Sequence, residues 1–476
     1  MQMELINSVE NYQEKLIELY PDLISYLLAG DFQKFENELY QHCMDLYNQI
    51  ALIIISTVAQ SEELRQKAQI IGQKKGLQEL RKSEVKLQLK TGYMITIFSW
   101  YASRAKSKRK GKKRGTNGSG SHLLLEFWGC ILKATPAYYS YISILSILCP
   151  SFDIVIKILK DQNIRAEYNR IKQIAYQVGE KCFSNRVRIG LKPGENVSGK
   201  RVIISVDGGR TRMREQNPDK KASQSSKGKR AKFDTPWREP KLFVIHILDK
   251  DGSIITTELP IYDAVINDAN LCFDLLADYL RKLNIETAAE ILFIADGADW
   301  IWNRAKSVLL NLGISEHKIS EAVDFYHAVE HISEIISKLR KIDDHKKNVF
   351  FKELKNLLWD GKLDQFISTV TDLAKGRKLI LDKLKYFHKN VNRMKYHQLR
   401  QRNLPCGGGI VESAIRRVIN LRFKSPSTFW KPENVEKLIF LRAIFLAGRW
   451  NIMINNLAKL NHKYLQLNLK LVCAKI

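Results

Sequence analysis

The chain has 476 residues, with 77 Lys and Arg against 50 Asp and Glu, a formal net charge of +27 and a pI near 9.6. Hydrophobic residues make up 45% and charged residues 27%, globular proportions that exclude a broadly disordered chain, and the length suggests two to four domains. So large a positive excess points to a polyanionic partner, most simply nucleic acid.

The seven cysteines (Cys43, Cys130, Cys149, Cys182, Cys272, Cys406 and Cys473) include no C-x-x-C pair. That spacing excludes a four-cysteine zinc ribbon and argues against a disulfide scaffold. The N-terminus, MQMELINSVENYQEK, has neither a basic n-region nor an apolar h-region. The most apolar runs, Ala51–Ile55 and Ile142–Cys149, fall far short of the ~20 residues that span a bilayer. The expectation is a soluble protein of a reducing compartment with no membrane partner.

The first 60 residues carry nine Asp and Glu against two Lys and Arg, whereas residues 375–476 carry twenty-two Lys and Arg against four Asp and Glu. Such asymmetry suggests one end for folding or oligomer contacts and the other for a polyanion. Residues 1–90 read as helices, with apolar positions at three- and four-residue steps (Leu16, Leu19, Leu23, Leu27). The domain expected there is a helical N-terminal region, 1–100. A basic flexible linker, 101–122, follows. It contains RAKSKRKGKKR (Arg104–Arg114), whose Lys108, Arg109 and Lys110 could grip phosphates or simply be solvated, and then the flexible GTNGSGS. Residues 123–190 read as helical. Pro150 and the break at Gln162–Ile164 divide 135–181 into three helices. The last two could form a helix-turn-helix with Arg165, Arg170 and Lys172 on its second helix, although plain helical hairpins are commoner.

From residue 201 the period changes to that of strands. Val202–Val206, Leu242–Leu248, Ser253–Ile266, Ile291–Ala295 and Ala322–Tyr326 read as strands, with helices at Ala269–Leu283 and Trp300–Leu312. The order β-β-β-α-β-α-β implies a mixed α/β layer rather than a regular βαβ repeat. Residues 327–405 and everything after Gly409 return to helical periodicity. Gly194–Lys200 has P-loop spacing, but Arg201 stands where Ser or Thr should hold Mg²⁺ and a strand follows, so the motif is excluded.

Two carboxylates stand out. Asp207 (VIISVDGG) and Asp296 (ILFIADGA) each follow a buried strand and precede Gly. Alone, each could begin a turn. Together, at neighbouring strand ends, they would repel unless they share a proton or a cation, and an all-oxygen site suits Mg²⁺. Glu412, in PCGGGIVESAIRRVINLRFK, is the best third carboxylate. It falls on a helical stripe with Ile415, Ile419 and Phe423, at the edge of a buried face. On spacing alone an ion pair with Arg416 is the simpler reading.

Taken together, SVDGGRTR, FIADGADWIW, DFYHAVEHI (Asp324–Ile332), the segment Tyr386–Lys424, TFW and LRAIFLAGRW (Leu441–Trp450) resemble the DDE-type transposases of insertion sequences over roughly residues 200–450. The resemblance implies an α/β catalytic domain with an RNase H-like mixed sheet, a mainly α N-terminal region and an α-helical insertion before the Glu. It divides the rest of the chain into a first part of the core, 200–326; the helical insertion, 327–405; the catalytic Glu helix and completion of the core, 406–450; and a basic C-terminal tail, 451–476. The first Asp lies on the first strand, the second after the fourth, and the Glu on a late helix.

The implied activity is Mg²⁺-dependent cleavage at transposon ends and strand transfer into target DNA. Asp207, Asp296 and Glu412 would be both catalytic residues and ligands of two Mg²⁺ ions, with Mn²⁺ as a substitute. His327 would lie behind the ligands or help to position DNA. Arg210, Arg212, Arg416, Arg417, Arg422 and Lys424 would contact DNA alongside the basic linker. The partners would be double-stranded terminal-repeat and target DNA and further copies of the chain, in a homodimer or larger synaptic complex within a bacterial cytoplasm, associated with the nucleoid. The alternatives are an inactive transposase-derived DNA-binding protein and an RNase H-like metal-dependent nuclease that does not join strands. The family's Gly-rich turn usually reads GSG, whereas here it reads GGG. Trp300, Trp302 and Trp430 could stack on unpaired bases, but core packing is the expectation for each.

Overall fold

The computed structural model describes the chain except for Met1, Gln78, 104–119, Pro218, 220–223, 226–227, 230–232, Lys341, 426–427 and 467–476. The expected contacts of Lys108, Arg109 and Lys110 therefore lie outside the described residues. Two compact units are present, one of residues 1–181 with 454–476 and the other of Cys182–Met453. No single described helix is long and apolar enough to cross a membrane, and the six described cysteines are all free thiols.

The first unit begins with α1 (Gln2–Leu28), α2 (Phe32–Ala59) and α3 (Glu62–Lys74). Asp31 and Ser61 cap the second and third helices by accepting from Lys34 N and Leu64 N. The helical reading of 1–100 then fails. Strands β1 (Glu79–Gln88) and β2 (Met94–Ser103) form an antiparallel hairpin. Val85, Leu87, Ile95 and Ile97 alternate into a core that α2 covers with Ala51, Leu52 and Ile55. Val85, Leu87 and Leu89, then Ile95 and Ile97, recur at period two, the strand signal, in a stretch read as a continuation of the helices before it. The hairpin also runs into the expected linker, to Ser103. Beyond the short strand β3 (Ser121–His122) come α4 (Leu123–Phe127), α5 (Pro136–Leu148), α6 (Phe152–Asp161) and α7 (Tyr168–Phe183). These include the three helices expected over 135–181. Six residues separate α6 from α7, more than the three or four of a helix-turn-helix, and Arg170 is turned onto the carbonyl of Leu132.

The second unit is built on a five-stranded mixed sheet. After α8 (Arg186–Gly190), its strands are β4 (Arg201–Gly208), β7 (Pro240–Leu248), β8 (Ile261–Ile266), β9 (Glu290–Ala295) and β10 (Ile319–Val323), in the spatial order β8-β7-β4-β9-β10. Two short strands, β5 (Thr211–Arg212) and β6 (Trp237–Arg238), pair with each other in the connection between β4 and β7. Strand β7 is antiparallel to both β4 and β8, whereas β4, β9 and β10 run parallel. The parallel strands are buried on both faces: Val202, Ile203, Ile204 and Val206, and Ile291 to Ala295, are all closed to solvent. The third expected strand is shorter than its sequence pattern, because Ser253–Pro260 are not part of it.

Helices α9 (Ala269–Lys282), α10 (Asp299–Trp302) and α11 (Ala305–Asn311) lie in the connections from β8 to β9 and from β9 to β10. The helical insertion consists of α12 (Phe325–Ser337), α13 (Asp344–Trp359), α14 (Leu363–Ala374), α15 (Lys378–Asn390) and α16 (Tyr396–Gln401). Next comes a helix in three parts, α17 (Gly409–Ala414), a π-helical turn over Ile415–Asn420, and α18 (Leu421–Phe423). The chain ends with α19 (Pro432–Leu446) and α20 (Trp450–Gln466). The expected C-terminal tail is thus helical as far as Gln466.

One buried cation ties the end of this unit to its start. Arg449 is 1% exposed. It donates to both oxygens of Glu195, at 2.9 and 2.7 Å, and to the carbonyls of Gly190, Leu259 and Pro260. These contacts use all five guanidinium N–H groups, which holds the Glu195 carboxyl below its ordinary range although burial alone would raise it. Replacing Arg449 by Met leaves the half-buried Glu195 carboxylate with the Lys192 N–H alone and takes a donor from three carbonyls. Urea unfolding of Arg449→Met should show a loss of about 3–5 kcal/mol, and an unchanged midpoint would refute the tie.

Candidate active site

The site is assembled at the carboxyl ends of the three parallel strands, where open α/β sheets bind ligands. Asp207 is the penultimate residue of β4, and Asp296 directly follows β9. The register pairs Val206 with Ala295, so the two Asp residues are the next positions on neighbouring strands, which lie ~4.8 Å apart. The structure brings in a third Asp that sequence reading missed. Ala295 pairs with Val323, and Asp324 follows directly. SVD, IAD and AVD are one pattern written three times, an apolar strand ending in Asp, and that repetition was the available signal.

Asp324 has a different task from the other two. It is 2% exposed, and its carboxylate caps α12 by accepting from Tyr326 N at 2.6 Å and His327 N at 3.3 Å. Its Oδ2 also accepts from Gly408 N, and Phe325 N donates to the carbonyl of Cys406 at 2.9 Å. The Gly-rich turn is thereby fastened to the sheet. A Cβ at Gly408 would lie 2.7 Å from Asp324 Oδ2, so the middle Gly of GGG is required by this close approach. Gly209 does the same for β4: a Cβ there would lie 2.9 Å from Ile419 Cδ1, which lets the Glu412 helix press against the strand end.

Glu412 is reached by this route. Its side chain is 51% exposed, and its Oε1 lies 3.5 Å from His327 Nδ1, which is 3.8 Å from Asp324 Oδ2. Ligand atoms of Asp324, His327 and Glu412 all lie within 4.8 Å of one another. The ion pair with Arg416 is not among those the structure forms. Of the expected stripe, Ile415, Ile419 and Phe423 are buried together with Val411, Ala414 and Val418, and Glu412 is its half-exposed member. Arg416 and Arg417 lie within the π-helical turn, exposed to solvent.

Electrostatics connect these groups. The Asp207 carboxyl is pushed up to about 6, first by burial and then by the negative charges of Asp296 and Glu412, against the opposing pull of Gly208 N–H and His327. The His327 imidazole is pushed up to about 9 by Asp324 above all, with Glu412 and Glu330 adding to it against the effect of burial. Asp324 is held below its ordinary range by His327, Gly408 N–H and Tyr326 N–H, although burial, the largest single influence, acts the other way. His327 is therefore an imidazolium at neutral pH, a poor metal ligand as long as it stays protonated. Asp207, Asp296 and Glu412 offer the oxygen donors that a hard divalent cation takes, but among the described residues the group whose ligand atoms all lie within 4.8 Å of one another is Asp324, His327 and Glu412. His331, one turn from His327, is no part of this group: its ring lies tilted against that of Tyr386, with centroids 3.8 Å apart, and burial pushes its pKa down.

The expected phosphate contacts divide. Arg210, Arg416, Arg417 and Lys424 are exposed, with Arg417 also donating to the carbonyl of Ser413 and the hydroxyl of Tyr262. Arg212 is half-buried. Arg422 overturns its expectation. It is 2% exposed, with its guanidinium 4.7 Å from the Trp430 ring, because it lies seven, four and three residues beyond Ile415, Val418 and Ile419, on the same buried face. Of the tryptophans, Trp302 and Trp430 are core residues, and Trp302 Nε1 donates to the carbonyl of Asp296 at 2.6 Å.

No family model matches the chain, and no curated protein matches it. Among solved structures, a chain of the Drosophila P element transposase strand transfer complex matches over 70% of this chain and 81% of its own length, at 13% identity and a TM-score of 0.25. A likeness that distant leaves the geometry of the site to carry the functional argument.

The link between Asp324, His327 and Glu412 has a direct readout. The imidazole C2–H of His327 should titrate in an NMR experiment with a midpoint near 9, and the midpoint should fall toward 6.5 in Asp324→Asn and less far in Glu412→Gln. Because the folded pKa is the higher one, the stability this ion pair contributes is complete below about pH 6.5 and disappears as pH rises through about 9. A wild-type midpoint near 6.5 would refute the linkage.

Proposed function

We propose that the chain is a DNA transposase that uses Mg²⁺ to cut strands at the ends of a mobile element and join them to target DNA. The observation that carries this reading is the convergence of Asp207, Asp296 and Glu412. They come from the first strand of the mixed sheet, the end of its fourth strand and a late helix, and they are close enough that Asp296 and Glu412 raise the pKa of Asp207. This is the arrangement an RNase H-like core implies for its three carboxylates, and the five helices between β10 and the Glu412 helix match the implied insertion. Such a cluster at neutral pH favours a bound cation.

Two Mg²⁺ ions held by these carboxylates would neutralise charge on the attacking and leaving oxygens of an in-line displacement at phosphorus. The protein's own groups do the rest. His327, as an imidazolium, restrains Glu412 without consuming a ligand position, and Asp324 fixes His327. Arg210, Arg416, Arg417 and Lys424 give the DNA backbone an exposed set of cations near the carboxylates, contacts that set register without reading sequence. The hydroxyl freed by the cut becomes the attacking group when target DNA replaces water. Two element ends must be held at once for concerted joining, so the active form is at least a dimer.

Cation binding can be tested apart from catalysis. Burial and neighbouring charge raise the Asp207 pKa from 3.8 to about 6, so its ionisation opposes folding, by nothing below about pH 4 and by at most roughly 3 kcal/mol above pH 6. Asp207→Asn should therefore melt higher than wild type at pH 7.5 and equally at pH 4. Added Mg²⁺ should raise the wild-type Tm and leave that of Asp207→Asn nearly unchanged.

On the element's own end DNA, wild type should give cleaved and joined product, and Asp207→Ala, Asp296→Ala and Glu412→Ala should each lower both by at least ~10³-fold. Cleavage that survives all three replacements would refute the site. Cleavage without joining would identify a nuclease, and binding without cleavage an inactive derivative.

A further inference from the structure

We infer that Arg212, Trp237 and Phe429 form a platform that stacks an unpaired nucleobase beside the carboxylate site, an inference that rests on the proposed action on DNA. Arg212 lies five residues beyond Asp207, on β5, and pairs with Trp237 on β6. Its guanidinium is 5.0 Å from the Trp237 ring centroid and 5.8 Å from that of Phe429. Its Nε has no hydrogen-bond partner. Next to it, the Arg214 guanidinium lies 4.1 Å from the Phe233 ring, whose centroid is 6.5 Å from that of Phe429.

Exposure separates this cluster from ordinary packing. Trp237 is 47% and Phe429 37% exposed. Among the described residues of the second unit, Trp237, Tyr326 and Phe429 are the exposed large aromatic side chains. Two of those three sit around a single Arg. The third, Tyr326, precedes His327.

The platform is also rigid, so little ordering remains to be done on binding. Arg238 makes a two-pronged ion pair with Glu215, each contact 2.7 Å. Met213 N donates to the carbonyl of Pro236, Trp430 N to that of Arg212, and Arg214 N to that of Trp430. Thr211 Oγ1 donates to the carbonyl of Phe423 at 2.9 Å. Through these bonds β5 is fastened to the end of the helix that carries Glu412.

Flat aromatic faces beside a cation match a nucleobase and its phosphate, and every base has a π-face, so such a platform tolerates any sequence. In a paired duplex those faces are already covered by neighbouring bases. The ligand is therefore an unpaired nucleotide, such as one displaced at the point of cleavage, and exposed Arg210 and Lys424 lie close in sequence to the platform for its phosphates.

The test uses the full chain carrying Asp296→Asn, without divalent cations, so that binding is read apart from cleavage. The probes are a fluorescein-labelled blunt duplex and the same duplex with a five-thymidine single-stranded flap. By anisotropy, the flapped probe should bind about tenfold more tightly. Adding Trp237→Ala or Phe429→Ala should remove that preference and leave the blunt-duplex Kd within twofold, and Trp237→Phe should retain most of it. A flap carrying 5-iododeoxyuridine should photocrosslink to Trp237 or Phe429, a readout on the unmutated platform should Trp237→Ala fold poorly.

Equal affinity for the two probes, equal loss on both, or crosslinks mapping away from β5, β6 and Phe429 would overturn the inference and show these aromatics to be packing or a surface for another protein segment. Flap preference in a chain whose wild-type form cuts no DNA would leave the platform standing and sink the activity. Cleavage by wild type with no flap preference would do the reverse.

Discussion

The geometry of the site depends on what one buried carboxylate does with the backbone around it. Asp324 ends the strand beside Asp296, caps the helix that carries His327, and accepts from the N–H of Gly408 at the start of the Glu412 helix. A strand end, the first helix of the insertion and the late helix meet on one side chain with almost no exposure to water. A buried carboxylate is tolerable only if its oxygens are satisfied, so the same requirement that keeps Asp324 ionised also sets the distance between the sheet and the turn. Some 80 residues of helical insertion separate Asp324 from Glu412 in the chain, and this contact closes that long excursion.

Two opposite electrostatic demands then coexist. Burial, backed by the negative charges of Asp296 and Glu412, pushes the Asp207 carboxyl up to about 6, yet the chain carries +27 overall. Not all of that charge is available to a ligand. Arg449 spends its whole guanidinium on Glu195 and three carbonyls, and Arg422 is buried against Trp430. Arg442 is buried too, which pushes its pKa down to about 10. These residues hold α18 and α19 in place. The cations left in water near the carboxylates, Arg210, Arg416, Arg417 and Lys424, form a smaller set, and its arrangement around a negative centre suits a partner whose own charge is negative outside and whose reacting phosphate must be neutralised by something other than the protein.

Most of this was legible in particular residues. Apolar β-branched runs ending in Asp located β4 and β9, and the change of period near residue 201 separated the helical part of the chain from the mixed sheet. What was missed has particular causes. In Glu79–Ser103 the period-two alternation was present and was passed over for the helical periodicity before it, and the covering face of α2 is what gives the hairpin its core. Asp324 was hidden because the fifth strand was read through to Tyr326, which placed Asp324 inside it, whereas the strand ends at Val323 and the helix begins at Phe325. Asp324 caps α12, and its contact with a Gly 84 residues away exists only in the folded chain. Arg422 was assigned to the DNA-facing side for its charge, although its spacing from Ile415, Val418 and Ile419 puts it on their buried face.

The remaining constraint lies in the Glu412 helix. Ile415, Val418, Ile419 and Phe423 fall on one face at ordinary helical spacing and are buried, with Gly209 giving Ile419 the room to approach. Arg416 and Arg417 lie away from that face, in water. Glu412 stands one turn before the π-helical turn over Ile415–Asn420, half-exposed and 3.5 Å from His327, so its carboxylate remains available to a cation.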